Sequence, residues 1–258
     1  MPHGALDIYL ASKILAPKYR WSSFIAIYLA VGLLMAVFWL SFPTASFIFF
    51  LVYSMIHFAD SDMQKPLFSD PLNALEFFAR LFLPFSLPLV FHEASTLGLI
   101  RTIHSEIDFV PFVPFFRFTG YAGLALTAAF VAASAIKSLK LGRVRDLNFL
   151  EPVVLVVLFS QIEPLYSLGI YFCFIHAIKH LTNVVMKIEV KSFARILPYW
   201  LIPLSGLPLL FWIYLQLETP STEALQAQLF QYVLITLSIV ALPHALLVRQ
   251  CKSLGVIS

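Results

Sequence analysis

Two histidines one helical turn apart, His176 and His180, lie in the strongly apolar segment "YFCFIHAIKH". An imidazole is costly to bury without a polar partner, and ionisable groups inside a membrane segment are functional candidates by default. Residues four positions apart share one face of a helix, so these two rings can bind the same metal ion. The pair alone is weak evidence, because a HxxxH spacing is more often incidental than metal-binding.

Carboxylates accompany other histidines of the chain. The segment "HFADSD" places Asp60 and Asp62 after His57, and "HGALD" places Asp7 four residues after His3. Metal-binding histidines usually donate their second ring N–H to a carboxylate or a carbonyl, which fixes the tautomer. We therefore expect Asp7 and Asp62 to orient histidines. Neutral imidazole ligands suit Fe(II), Zn(II), Cu or Ni.

The composition indicates what kind of segment must hold these histidines and carboxylates. The chain has 258 residues, of which 60% are hydrophobic and 12% are charged, and its mean hydropathy is +0.87. Soluble domains are about 45–50% apolar and about 25% charged, so the composition indicates a protein that crosses the lipid bilayer many times. A net charge of +3 is too small to suggest nucleic acid as a partner.

The apolar runs predict an all-α, polytopic transmembrane bundle of about eight spans that forms a single domain over residues 1–258. A span needs about 20 mostly apolar residues. The predicted spans are 22–41, 43–60, 77–98, 112–136, 147–161, 164–186, 196–217 and 227–249. Prolines inside the predicted helices bend the axis and free backbone carbonyls; they are Pro84, Pro88, Pro203, Pro208 and Pro243.

The basic residues predict the orientation of these spans. Most Lys and Arg residues fall in connections on one side, whereas Arg101 and Arg117 fall on the other. The positive-inside rule places the richer side in the cytoplasm, which puts both termini there and makes the protein a multi-pass protein of the inner (plasma) membrane. A metal site is then expected in the cytoplasmic half of the bilayer, where five histidines converge: His3, His57, His176, His180 and His244. His92 and His104 fall at the opposite face.

Four short motifs together resemble the Brp/Blh family of membrane-bound β-carotene dioxygenases. They are "PHGALD" at Pro2–Asp7, "HFADSD" at His57–Asp62, "FIHAIKH" at Phe174–His180 and "LPHALLV" at Leu242–Val248. The motifs appear in the order found in that family and extend over nearly the whole chain. Each one is weak singly, but their order and spacing are fairly specific.

The resemblance implies an enzyme that splits the central double bond of β-carotene with O₂ to give two retinal molecules. It also implies that Fe(2+) is held by four histidines, which match His3, His57, His176 and His180. Five protein ligands would leave a six-coordinate iron a single open site, so we expect His244 to act beside the metal or to face the substrate. Expected partners are β-carotene, O₂, the lipid bilayer and a rhodopsin that takes up the retinal.

Two other kinds of protein remain open on the residues alone. One is a membrane transporter in which His and Asp side chains relay protons. The other is a different membrane metalloenzyme that modifies carotenoids or lipids. A di-iron desaturase is disfavoured, because the histidine clusters such as HxxHH that it needs are missing from the sequence.

Overall fold

The computed structural model describes residues 7, 10–11, 21–63, 69–103, 107–140, 147–180, 182 and 222–254. These residues form helices and short connections, and no β-strand occurs among them. The helices are α1 (Trp21–Ser41), α2 (Pro43–Asp62), α3 (Pro71–Phe91), α4 (Glu93–Ile103), α5 (Val113–Lys140), α6 (Glu151–Gln161), α7 (Pro164–Ile170), a π-helix (Tyr171–His176) that continues α7, and α8 (Thr222–Ser253).

The predicted all-helical membrane fold is confirmed. Within the described residues, five helices are long and apolar enough to cross a membrane: Ser22–Ser41, Pro43–Asp62, Pro71–Phe91, Val110–Lys140 and Leu234–Ser253. The fifth predicted span, 147–161, contains a short 3₁₀ helix, Leu147–Leu150, and the 11-residue helix α6. The sixth, 164–186, is described as far as His180 and at residue 182, and the seventh, 196–217, lies outside the described residues.

The third predicted span, 77–98, is wrong at both ends. The helix begins at Pro71, where the Asp70 side chain accepts a hydrogen bond from the backbone N–H of Leu72 at 3.0 Å and caps the first turn. It ends at Phe91, because His92 leaves the helical conformation with φ −137° and ψ 51°. A separate helix, α4, then starts at Glu93. Apolar residues on both sides of His92 hide this break from a hydropathy pattern.

The chain divides into two compact units. The first unit comprises Met1–Phe50, Arg101–Ile107 and Ala177–Ser258. The second unit comprises Leu51–Ile100 and Asp108–His176.

In the first unit, α1 packs against α8 through small and polar side chains. The indole N–H of Trp39 donates to the buried hydroxyl of Ser238, and a Cβ placed on Gly32 would lie 3.6 Å from Ile239. Such contacts suit helices in lipid, where close packing and hydrogen bonds hold helices together. Other large side chains of α1 are exposed, including Leu34 and Leu40, as expected for a face that contacts lipid tails.

In the second unit, α3 packs closely on α5. The hydroxyls of Ser86 and Thr119 are hydrogen-bonded at 2.8 Å. A Cβ placed on the neighbouring Gly120 would overlap the side chain of Val90 and lie 3.1 Å from the carbonyl oxygen of Ser86. The missing side chain of Gly120 is therefore what allows the two helix backbones to approach this closely.

Ion pairs of α3 join it to α6. The Arg80 side chain, only 2% exposed, lies 2.9 Å from Glu76 and 3.0 Å from Glu151. A buried charge is tolerated only when opposite charges and hydrogen bonds compensate its lost hydration.

Three of the five predicted interior prolines lie inside helices of the structure. Pro84 and Pro88 are in α3, and Pro243 is in α8. Pro203 and Pro208 are outside the described residues.

We predict that Gly120→Ala destabilises the protein even though alanine is the better helix former. The added methyl group overlaps Val90, and overpacking of this kind costs about 1–3 kcal/mol. The matched control is Gly98→Ala, because a Cβ at Gly98 meets nothing within 4 Å; it should be neutral or stabilising by up to about 1 kcal/mol. Thermal unfolding in detergent measures both, and equal midpoints for the two variants would contradict the α3–α5 packing.

Candidate functional site

His57 and His176 lie side by side in the second unit. Their ring centroids are 5.7 Å apart and the ring planes are nearly perpendicular, at 73°. Both residues are buried, His57 with 8% and His176 with 0% exposure. Asp62, the last residue of α2, lies 2.9 Å from Nδ1 of His176 through its Oδ1. Since an ionised carboxylate only accepts hydrogen bonds, Nδ1 carries the proton and Nε2 is the nitrogen suited to a metal.

Tyr171 holds the other oxygen of the same carboxylate. Its hydroxyl donates to Oδ2 of Asp62 at 2.9 Å, and the tyrosine is itself buried. Tyr171 and His176 are the first and last residues of the π-helix. Five residues span about 140° around a regular α-helix of 3.6 residues per turn, whereas i→i+5 hydrogen bonding brings such residues closer to one side. The π-helix therefore lets both side chains reach Asp62.

Aromatic rings enclose this group. The Phe58 ring lies 4.2 Å from the ring of His176 and 5.6 Å from that of Tyr171, measured between centroids. Phe172 lies 6.1 Å from His176 in a stacked orientation. This packing fixes the imidazole and places it in apolar surroundings, where interactions between charged or polar groups are stronger than in water.

The first unit contains a second carboxylate held in the same way. Oδ1 of Asp7 lies 2.7 Å from Nδ1 of His244, and Oδ2 accepts a hydrogen bond of 2.7 Å from the hydroxyl of Tyr28. His244 is 1% exposed and Asp7 is 5% exposed. The ring of His180 lies 5.4 Å from that of His244 at an angle of 85°. These residues come from α1, α8 and the chain segments before α1 and after the π-helix.

Each unit thus carries a carboxylate, a tyrosine and two histidines in one arrangement. A carboxylate on Nδ1 is the usual companion of a metal-binding imidazole. A metal–nitrogen bond of about 2.0–2.1 Å places a ring centroid about 3 Å from the metal, so two rings that share a metal are at most about 6 Å apart. Both histidine pairs satisfy this limit, and the donor set therefore fits a metal that imidazole binds well.

The predicted site residues are placed as follows. His57, His176 and Asp62 come together in the second unit, and His180, His244 and Asp7 in the first. Asp7, expected beside His3, contacts His244, and His3 lies outside the described residues. Among the described residues, no three His, Cys, Asp or Glu side chains form a group arranged to hold a metal ion.

Sequence reasoning missed the two tyrosines. Tyr28 lies within the apolar helix α1, and Tyr171 stands five residues before His176. Tyr28 belongs to no histidine-containing motif. Tyr171 begins the segment "YFCFIHAIKH", but an α-helical spacing does not associate it with His176. The hydroxyl that each tyrosine contributes becomes evident only from the fold.

Comparison with known protein families gives a match over nearly the whole chain. The family model described as beta-carotene 15,15'-dioxygenase matches residues 1–252. No curated protein and no solved structure matches the chain. The match covers all four histidine motifs of the sequence.

We predict that Asp62→Asn weakens binding of a divalent metal by about 10- to 100-fold, the usual effect of changing the partner of a metal-binding histidine. The amide keeps the size of the side chain but no longer fixes the proton on Nδ1 of His176. Asp60→Asn in the same helix is the matched control and should stay within about twofold of wild type. Titration of metal-free protein with Co(II), followed by visible absorption, measures both. Equal affinities for the two variants would exclude the proposed orienting role of Asp62.

Proposed function

Because the chain belongs to the beta-carotene 15,15'-dioxygenase family, we propose that it uses iron and O₂ to cleave the central double bond of β-carotene. In the overall reaction the C15=C15' bond breaks, and each carbon gains one oxygen atom from O₂. The products are two molecules of retinal, and no further oxidant or reductant is needed for the balance. The buried pair His57–His176 with its carboxylate is the observation that best supports a metal-dependent reaction.

We propose that Fe(2+) is bound by His57, His176, His180 and His3. The support is the match of these residues to the family's motifs, together with the burial of the three that the structure describes. Neutral imidazole ligands leave the metal its positive charge, and iron bound in this way supplies the redox chemistry that lets O₂ react with the polyene.

The chain's own residues orient the ligands and exclude water. Asp62 holds Nδ1 of His176, and Asp7 holds Nδ1 of His244, so each imidazole has a fixed tautomer and ring plane. His244 stands beside His180 and completes the proposed set of functional side chains. The rings of Phe58, Phe85 and Phe172 make the surroundings apolar, which suits a hydrocarbon substrate.

The membrane location fits this substrate. β-Carotene dissolves in lipid, so an enzyme built from membrane-spanning helices meets it without a soluble carrier. We propose that the protein lies in the inner membrane of the cell with both termini in the cytoplasm, as the basic residues predict. The metal ligands then lie in the cytoplasmic half of this membrane. The retinal product would be available to a rhodopsin in the same bilayer.

Expression of the chain in bacteria that make β-carotene tests the function. We expect loss of the orange colour and the appearance of retinal, identified by chromatography. With purified protein in ¹⁸O₂, each retinal should carry one ¹⁸O atom in its aldehyde group. Retinal without the label, or β-carotene that is left unchanged by iron-loaded protein, would contradict the proposal. A transporter with a proton relay would leave β-carotene unchanged.

We predict that alanine at His57, His176 or His180 removes most of the bound iron and most of the retinal formation, because each change deletes a proposed ligand. The matched control is His92→Ala, since His92 follows α3 and is predicted to lie at the opposite face of the membrane. This variant should stay within a few-fold of wild type, as should His104→Ala. Iron content by mass spectrometry and retinal yield are the measurements. Full iron occupancy in His176→Ala would overturn the ligand assignment.

A further inference from the structure

The arrangement around His244 repeats the arrangement around His176. In both, one carboxylate oxygen lies 2.7–2.9 Å from Nδ1 of the imidazole, and a tyrosine hydroxyl donates to the other oxygen at 2.7–2.9 Å. In both, the ring of a second histidine stands nearly perpendicular, at 73° or 85°, with centroids 5.4–5.7 Å apart. Both imidazoles are at most 1% exposed.

This repetition has a chemical meaning. A carboxylate on Nδ1 is the usual companion of a metal-binding imidazole, and it also orients imidazoles that transfer protons. The second histidine ring beside His244, at the separation found for His57 and His176, favours a metal, because two ring nitrogens can bind one ion. The carboxylate keeps the proton on Nδ1, so that Nε2 is the nitrogen suited to a metal. Asp7 and Tyr28 give His244 the same chemistry that Asp62 and Tyr171 give His176.

We infer that His244 is itself a metal ligand together with His180, taking the place given above to His3 so that the number of protein ligands stays at four, and that Tyr28 and Asp7 are the positioning residues that hold its ring. The inference rests on the proposed function only for the identity of the metal as iron. It places His244 in direct contact with the metal, whereas the sequence predicts that His244 acts beside the metal or faces the substrate.

Three groups depend on one another in this arrangement. Asp7 is 237 residues from His244 and 21 residues from Tyr28 along the chain. Its carboxylate therefore joins α1 to α8 near the C-terminal end of α8. Pro243, directly before His244, lies inside α8. Its missing N–H breaks the regular hydrogen bonding of the helix at the turn that presents the imidazole.

Metal binding to full-length protein in detergent tests the inference independently of turnover. His244→Gln keeps a similar volume but removes the ring nitrogen, and it should lower the affinity for Fe(II) and for Co(II) at least tenfold. The visible absorption of the Co(II)-loaded variant should also change in intensity or position, because the set of ligands has changed. His92→Gln is the matched control and should keep the affinity and spectrum of wild type.

A second variant separates ligand loss from misfolding. Asp7→Asn leaves the imidazole in place and should weaken metal binding about 10- to 100-fold, while Tyr28→Phe should have a smaller effect in the same direction. Elution volume and unfolding temperature of the metal-free proteins verify that each variant is folded. If His244→Gln does not fold, the metal affinity of Asp7→Asn alone tests whether His244 is a metal ligand.

Each outcome distinguishes the inference from the proposed function. Wild-type affinity and an unchanged Co(II) spectrum in His244→Gln would overturn the inference and leave the dioxygenase proposal intact. Wild-type affinity in Asp7→Asn would overturn it likewise. Retinal formation that is absent from wild type while His244→Gln still loses metal would overturn the proposed function and support the metal site. A wild-type protein that binds no metal would overturn both.

Discussion

The carboxylates buried in this apolar protein impose the constraint on which the rest of its chemistry depends. A charge moved into an apolar interior loses several kcal/mol of hydration, and it is tolerated only where donors replace the lost water. Asp62 and Asp7 each receive one tyrosine O–H and one imidazole N–H. Their partners lie far away in the sequence, 109 and 114 residues from Asp62. Each carboxylate therefore joins helical segments within its unit and, by the same hydrogen bonds, sets the tautomer of one histidine.

Arg80 is a buried charge that joins two helices. Its guanidinium is paired with Glu76 on the same helix and with Glu151 at the start of α6, so the cation fixes α6 against α3. An exposed pair such as Lys137 and Asp70 contributes about 0–1 kcal/mol, whereas breaking a buried pair costs about 3–5 kcal/mol.

The sequence was sufficient to predict the helical membrane fold, because hydropathy is a local property. Hydrogen bonds between residues that are far apart in the chain could not be predicted from such local patterns. Asp7 was expected near His3 on the basis of a four-residue spacing, yet it contacts His244, 237 residues away. No periodicity links those two positions. The break at His92 was missed for a related reason, since hydropathy averages over residues and does not sense the backbone angles of one of them.

The π-helix at Tyr171–His176 departs from regular structure in a way that the hydrogen bonds of Asp62 explain. A regular α-helix would turn the tyrosine about 140° away from the histidine, and a single aspartate could not accept hydrogen bonds from both. The wider i→i+5 repeat is less favourable as a helix, which is why it is rare and is found mostly at functional sites. In this chain it occurs where two side chains of one segment must reach Asp62. The less favourable helix geometry thus allows one buried carboxylate to accept hydrogen bonds from two side chains of the same segment. One of these side chains is the imidazole of His176, which the carboxylate orients.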